Sequence, residues 1–242
     1  MSDSVIRIVS IYPSLLGTYG DGGNVLALSH RARMHGLTTE VAEISPGQAV
    51  PRHGDLYVLG GGEDTAQVAA ADALRADRGL AQAISNGASL LAICAGYQLI
   101  GEEFPDATGT PSPGVGILDI RTDRLPKRAV GELLATPSPN APAKLTEPLT
   151  GYENHAGATH LGPDALPLAQ VEGGVGNGDV SEGAISGRVV GTYLHGPCLA
   201  RNPQLADLLL GWVLDRDLEP LVEREVEELR AERLDYVRRS GR

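Results

Sequence analysis

Residues 89–101, Ser89-Leu90-Leu91-Ala92-Ile93-Cys94-Ala95-Gly96-Tyr97-Gln98-Leu99-Ile100-Gly101, place one cysteine between a short apolar run and a helix-like run. An uncharged run that ends in a small-residue turn reads as a buried strand lifting Cys94 onto a sharp elbow above a parallel sheet. Bulk at Ala95 or Gly96 would block close approach of backbone and substrate. The helix that follows starts its free N–H groups and positive dipole end beside the sulfur. Both features favour a thiolate. A buried structural cysteine in a core strand is the competing reading, since that is the usual fate of a free thiol.

Further along, residues 187–197 read Gly187-Arg188-Val189-Val190-Gly191-Thr192-Tyr193-Leu194-His195-Gly196-Pro197. Val189 to Leu194 is a strand pattern rich in β-branched and aromatic residues, and it delivers His195 just before a Gly-Pro turn. Strand ends are where α/β folds place chemistry. A free cysteine, with a pKa of about 8.5, is mostly thiol at neutral pH, so a hydrolase built on Cys94 needs an imidazole as base and later as acid. Of the six histidines, His195 has the cleanest strand-end setting, and His155 in Tyr152-Glu153-Asn154-His155-Ala156-Gly157 comes next. A histidine that merely ends a strand is the plainer alternative, and for His155 a strand-edge structural role fits as well as a pocket-lining one.

Asp55 to Leu59, followed by Gly60-Gly61-Gly62-Glu63-Asp64, reads as a buried strand breaking into a loop that glycines can trace close to a ligand. Such a loop can aim backbone N–H groups at an oxyanion, and one preorganised donor lowers a barrier by roughly 2.7–4 kcal/mol. A phosphate cradle is the competing chemistry. No Lys-Ser or Lys-Thr pair follows the glycines, which argues against it.

In this order, Gly-Gly-Gly-Glu-Asp, Cys-Ala-Gly-Tyr-Gln and Tyr-Leu-His-Gly resemble the motifs of the class I glutamine amidotransferases, in the branch typified by cobyric acid synthase. Within that branch the segment Tyr12-Pro13-Ser14-Leu15-Leu16-Gly17-Thr18-Tyr19-Gly20-Asp21-Gly22-Gly23-Asn24-Val25 is similar to the free-standing GatD-type subunits of lipid II isoglutaminyl synthase, and the similarity spans nearly the whole chain. The resemblance implies a three-layer α/β fold around a mostly parallel central sheet. It implies a glutaminase that hydrolyses L-glutamine through a Cys94 thioester, with His195 as base. It also implies a Mur-ligase-like synthetase partner of the MurT type, which uses the released ammonia to amidate the D-glutamate of the lipid II stem peptide to D-isoglutamine in peptidoglycan synthesis. Backbone N–H groups near Gly61, Gly62 and Ala95 are implied as the oxyanion site, and Arg128 and Gln98 as substrate-binding groups. No metal and no cofactor are implied in this chain, ATP belonging to the partner. A guanidinium suits a substrate α-carboxylate because it is always charged and can grip it with two parallel bonds, while a solvated surface arginine beside Lys127 accounts for Arg128 equally well.

Two other functions stay open. Cobyrinic acid amidation is one, although 242 residues leave no room for the synthetase domain usually fused there; a non-catalytic binding subunit of the same fold is the other. One departure from the motif matters. Many class I amidotransferases carry Pro-Glu after the histidine, whereas here Gly196-Pro197-Cys198 follows, so the group that orients His195 is missing from its usual place. A backbone carbonyl or a carboxylate from another loop can take that role. Asp21, on a distinctive loop, is a candidate, but it reads better as a turn residue in Gly20-Asp21-Gly22-Gly23-Asn24, and Cys198 as a small buried residue.

Length and charge set the frame. The 242 residues read as one domain, 1–242, and with aromatics at 4% its core must rest on Ala, Val, Leu and Ile. A net charge of -11 disfavours nucleic-acid partners, which need a positive stripe. No apolar run approaches the roughly 18 residues of a membrane span and no signal-like start is present, so no integral membrane segment and a cytoplasmic location are expected. Two distant cysteines are not a disulfide framework. Strands are predicted at Val5–Ile11, Thr38–Glu43 and Leu56–Leu59, with helices at Asn24–His35 (closed by Gly36), Gln67–Arg75 and Gly79–Asn86. From Thr122 to Thr150 the rhythm breaks, and the Pro-rich part near 135–148 is expected to be an irregular excursion. Helices are expected near 203–239, split at Pro220. The second presents Val222, Val226, Leu229 and Val237 on one face, for packing on its own sheet or on a synthetase partner.

Overall fold

A computed structural model describes residues 5–17, 20–140 and 145–240; Thr18 and Tyr19 of the N-terminal motif and residues 141–144 of the proline-rich stretch lie outside the described residues. The chain begins β1 (Ile6–Ile11), α1 (Gly23–Met34), β2 (Thr39–Ile44), β3 (Leu56–Leu59), α2 (Asp64–Asp77), α3 (Gly79–Ser85), β4 (Ser89–Ile93) and α4 (Ala95–Leu99). This is the alternation expected from the sequence. Helix α1 closes at the expected glycine: Gly36 takes φ +71°, and Leu37 N–H reaches back to Ala32 O at 2.9 Å.

The chain continues through β5 (Glu103–Pro105), β6 (Pro111–Pro113), β7 (Ile120–Pro137), β8 (Leu149–Leu161), β9 (Ala169–Gly173), β10 (Ser181–Glu182), β11 (Ala184–Ser186) and β12 (Val189–Thr192). It ends with α5 (Cys198–Arg201), α6 (Pro203–Val213) and α7 (Arg224–Ser240). One sheet has the order β11-β12-β4-β3-β1-β2 and is parallel except at the β11–β12 pair. Its central strands β3 and β4 are buried at every residue, which is why Leu-Tyr-Val-Leu and Ser-Leu-Leu-Ala-Ile carry no charge. The second sheet, order β10-β9-β7-β5-β6 with β8 also on β7, is antiparallel apart from the β5–β7 contact.

The middle of the chain departs from expectation in part. The break in rhythm expected from Thr122 is a long strand, whereas of the Pro-rich part near 135–148 only residues 135–137 join it, and the described residues 138–140 and 145–148 lie outside helices and strands. Strand β7 runs through Pro137 and pairs with β8 as a long antiparallel ribbon. Proline in mid-run hides this strand, because it cannot donate to a ladder. The structure absorbs Pro126 in a bulge: Arg124 pairs with Gly157 and Ala129 with His155, so residues 125–128 face Ala156 alone.

The two C-terminal helices stand on either side of Pro220, as expected. What holds α7 is different. Val222 precedes the helix and is 81% exposed, and Leu229 is 53% exposed, so the expected apolar stripe is incomplete. Val237 is buried, and the buried Arg230 donates to Arg201 O at 2.7 Å, to Asn202 Oδ1 at 3.2 Å and to Pro148 O. Charge-assisted bonds to these oxygens substitute for missing apolar area where α7 packs on α5 and β7.

A buried ion pair ties α1 to α6. Arg31 Nε and Nη2 each reach Asp207 at 2.7 Å, one to each carboxylate oxygen, and His35 Nε2 lies 2.9 Å from the same carboxylate. Removing one partner strands the other away from water, and such losses run to about 3–5 kcal/mol. Asp207→Ala is therefore expected to lower stability by about 3 kcal/mol, since Arg31 keeps Glu223 and Leu221 O as partners. Urea unfolding with an unchanged slope and a lowered midpoint is the check.

Candidate active site

Parallel strands release their loops at one edge, and β1, β3, β4 and β12 are parallel neighbours. The segments that follow them carry Asp21, Gly60–Gly62, Cys94 and His195. Cys94 sits at φ +50°, ψ -106°, a conformation that costs a non-glycine residue strain, as at a nucleophile elbow. The elbow is pinned by Cys94 N–H to Thr192 O at 2.8 Å and Gly96 N–H to Gly60 O at 3.1 Å. Gly96 is needed because an added Cβ would lie 2.8 Å from Gly60 O and 2.9 Å from Leu59 Cβ.

Cys94 and His195 come together around Gly61. A Cβ built on Gly61 would lie 2.6 Å from His195 Cε1, 3.0 Å from Asp21 Oδ2 and 3.3 Å from Cys94 Cβ. The glycine run is thus required for room. None of Gly60, Gly61 and Gly62 has a positive φ; Cβ atoms at Gly60 and Gly62 would instead strike the backbone oxygens of Leu16 and Leu15 at 2.0 and 2.6 Å.

Sequence reasoning ranked a turn role for Asp21 above that of the group facing the imidazole, and the structure reverses that ranking. Asp21 is 1% exposed, and both its carboxylate oxygens lie 3.4 Å from His195 Nδ1. Oδ2 also accepts the Gly61 N–H at 2.7 Å. That bond corrects one expectation: the Gly61 donor serves Asp21, whereas Gly62 and Ala95 line the cavity beside Cys94. The neighbours of Asp21 dock on the turn after His195. Asn24 Oδ1 accepts Leu199 N–H at 3.0 Å, and a Cβ on Gly23 would lie 2.7 Å from the Pro197 ring. The signal for Asp21 was present in the sequence: a missing acid after the histidine, and an aspartate in the loop after a parallel strand.

Burial pulls the His195 imidazolium down, but side-chain hydrogen bonds with Asp21 and Cys94, and the charges of both, outweigh it and push the pKa up to about 10. The ring is therefore a cation at neutral pH, beside the sulfur. Burial, and after it the charges of Asp21 and Glu182, push the Cys198 thiol well up.

The cavity next to Cys94 is closed on its far side by the β7–β8 ribbon, through Arg124, Arg128, Asn154 and His155. Arg128 rises on the bulge and donates from Nε to Asn154 Oδ1 at 2.7 Å. Gln98 lies in the wall, but its amide is engaged: Nε2 donates to Tyr193 Oη at 3.1 Å, and Oε1 accepts from Gln67 Nε2 at 2.9 Å. His155 lines the cavity too, its ring stacked on Tyr193 with centroids 3.6 Å apart. Among the described residues no group of His, Cys, Asp and Glu has the makings of a metal site, and no helix is long and apolar enough to cross a membrane.

A strained cysteine elbow beside a histidine, at one edge of a mostly parallel sheet, defines the fold of the class I glutamine amidotransferases. A glutamine amidotransferase from Thermotoga maritima shares it at a TM-score of 0.56, with 15% identity and coverage of 96% of this chain and 95% of that one. Residues 7–203 match the CobB/CobQ-like glutamine amidotransferase domain, and the chain belongs to that family. It is 35% identical over 216 residues to subunit GatD of the lipid II isoglutaminyl synthase (glutamine-hydrolyzing) of Streptococcus pneumoniae, covering 87% of this chain and 81% of the relative. To the subunit of the same name from Staphylococcus aureus it is 33% identical, covering 88% and 86%.

Two outcomes are expected of the site. Gly61→Ala should displace the imidazole and lower any Cys94-dependent turnover at least about 100-fold, because small misplacements of reacting groups cost that much; steady-state kinetics on the folded variant reads this. The imidazolium pair is fully formed below the ordinary histidine pKa of about 6.5 and is lost as pH rises through about 10. Asp21→Asn should therefore move the alkaline limb of the rate profile to lower pH. An unmoved limb counts against the pairing.

Proposed function

We propose that this chain is the glutaminase subunit of a two-subunit, ATP-dependent ligase that amidates lipid II. The observation that carries the reading is the Asp21–His195–Cys94 cluster beside a cavity with an arginine in its wall. The identity to GatD subunits over most of the chain supports the choice of acceptor.

In this reading the Cys94 sulfur attacks the side-chain carbonyl carbon of L-glutamine while the N–H groups of Gly62 and Ala95 stabilise the oxyanion. The His195 imidazolium gives its proton to the amide nitrogen, the C–N bond breaks, and ammonia leaves a γ-glutamyl thioester. Neutral His195 then takes a proton from water, whose oxygen attacks the thioester; glutamate departs and the thiolate–imidazolium pair returns. Asp21 holds the Nδ1 face of the ring through both half-reactions. Arg128 grips the α-carboxylate by exchanging its bond to Asn154 for two parallel bonds to the substrate. Gln98 shapes the wall through Tyr193 and Gln67. Ammonia passes to a Mur-ligase-like, MurT-type synthetase subunit, which binds ATP and the lipid II stem peptide, so this chain works as one half of a heterodimer in the cytoplasm, as a single domain.

Cys94→Ala is expected to abolish glutamate release from glutamine, and the wild-type chain to co-purify with an ATP-using ligase that amidates lipid II when glutamine is supplied. Wild-type protein that fails to hydrolyse glutamine with that ligase present contradicts the reading. Transfer of labelled amide nitrogen to a cobyrinic acid acceptor and not to lipid II would move the function to the other branch of the family.

A further inference from the structure

Residues 173–183, Gly-Gly-Val-Gly-Asn-Gly-Asp-Val-Ser-Glu-Gly, form a glycine-rich stretch that the chemistry above leaves unused. Its Glu182 is fully buried in β10, against the turn that leaves β12. Strand β12 stops at Thr192, so the next N–H groups lose the ladder that served the strand. Glu182 Oε1 accepts the Tyr193 N–H at 3.0 Å and the Thr192 hydroxyl, and Thr192 Oγ1 in turn accepts the Leu194 N–H at 3.1 Å. The His195 N–H then donates to Tyr152 O at 2.7 Å. Two of the three residues that carry the chain from strand end to imidazole therefore hang on one carboxyl group. Close seating is secured by Gly183, where a Cβ would lie 2.5 Å from Gly191 O.

A carboxyl group is a costly choice for a clamp in this place. Glu182 Oε2 is buried without a hydrogen-bond partner among the described residues, and burial pushes the acid's pKa up to about 7 in spite of its bonds to Thr192 and Tyr193. The same turn also sets Tyr193, whose hydroxyl bonds Gln98 in the cavity wall and pairs with Thr159 Oγ1 at 2.6 Å.

We propose that Glu182 is a positioning residue for the glutaminase reaction: acting through Thr192 and Tyr193, it sets the turn that carries His195 to Cys94 and the phenol that holds Gln98. This rests on the reading of Cys94 and His195 as the reacting pair. The test measures glutamine hydrolysis by the full chain, together with its co-purified partner, in Glu182→Ala, Glu182→Gln, Thr192→Val and Thr192→Ser, with thermal unfolding of each variant. Removing the clamp or its hydroxyl link should lower kcat roughly 10- to 100-fold and leave KM within about threefold, since the loss lies in the arrangement of reacting groups and not in ground-state binding. Glu182→Gln and Thr192→Ser, which keep an acceptor and a hydroxyl, should retain most of the rate. If Glu182→Ala does not fold, the Thr192 pair decides: a folded Thr192→Val with wild-type kcat, or a Thr192→Ser as impaired as Thr192→Val, overturns the proposal. Cys94→Ala separates the two levels. Activity persisting there removes the underlying reading, while its loss alongside a fully active Thr192→Val removes the role of Glu182 alone.

Discussion

Space at one point of the sheet edge governs the arrangement around it. The Gly61 α-carbon sits where the Asp21 carboxylate, the His195 ring and the Cys94 side chain converge, and no other residue type fits there without moving one of them. The Gly61 N–H also fixes Asp21 Oδ2. One residue thus supplies both the vacancy for the imidazole and a bond that aims the carboxylate at it. The parallel register of β1, β3, β4 and β12 makes the convergence possible, because four loops from distant parts of the chain must leave the sheet on one side.

Electrostatics then separates two cysteines that burial alone does not distinguish. Both are buried, yet Cys94 faces an imidazole flanked by a carboxylate, while Cys198 faces carboxylate charge with burial compounding it. A thiol near negative charge in a low dielectric stays protonated, as burial and the charges of Asp21 and Glu182 keep Cys198. The composition supplied no hint of this difference. Asp21 approaches the imidazole from the side of Nδ1, and hydrogen bonds with Asp21 and Cys94 both favour its charged form.

The α/β alternation and the two ends of the Cys94–His195 contact were legible because short, fully buried strands leave uncharged runs and small-residue turns as unambiguous punctuation. Strand β7 was not legible. Its pairing tolerates Pro126 only through a bulge, and bulges leave no periodic trace. Asp21 ranked first as a turn residue because an aspartate among glycines is the usual composition of a turn; what distinguishes it is a partner 174 residues away in sequence. The Gly-Gly-Gly run was read as demanding glycine, and crowding by Leu15, Leu16 and His195 enforces it, with no left-handed backbone involved. The apolar spacing at the C-terminus overstated the stripe on α7, whose anchor is a buried guanidinium that no hydropathy pattern reveals.

The bulge that hid β7 also makes sense of the cavity. A strand in regular pairing would turn successive side chains to opposite faces of the ribbon, whereas four residues set against one lift Arg128 to the rim facing Cys94. The chain as a whole carries a net charge of -11, so an anionic group nearing it meets repulsion from most directions. Arg124 and Arg128 bring positive charge to that rim, where Arg124 Nη2 already lies 3.4 Å from Asp64 Oδ2. Arg128 instead bonds the neutral oxygens of Asn154, which leaves its positive charge to meet an anionic group entering the cavity.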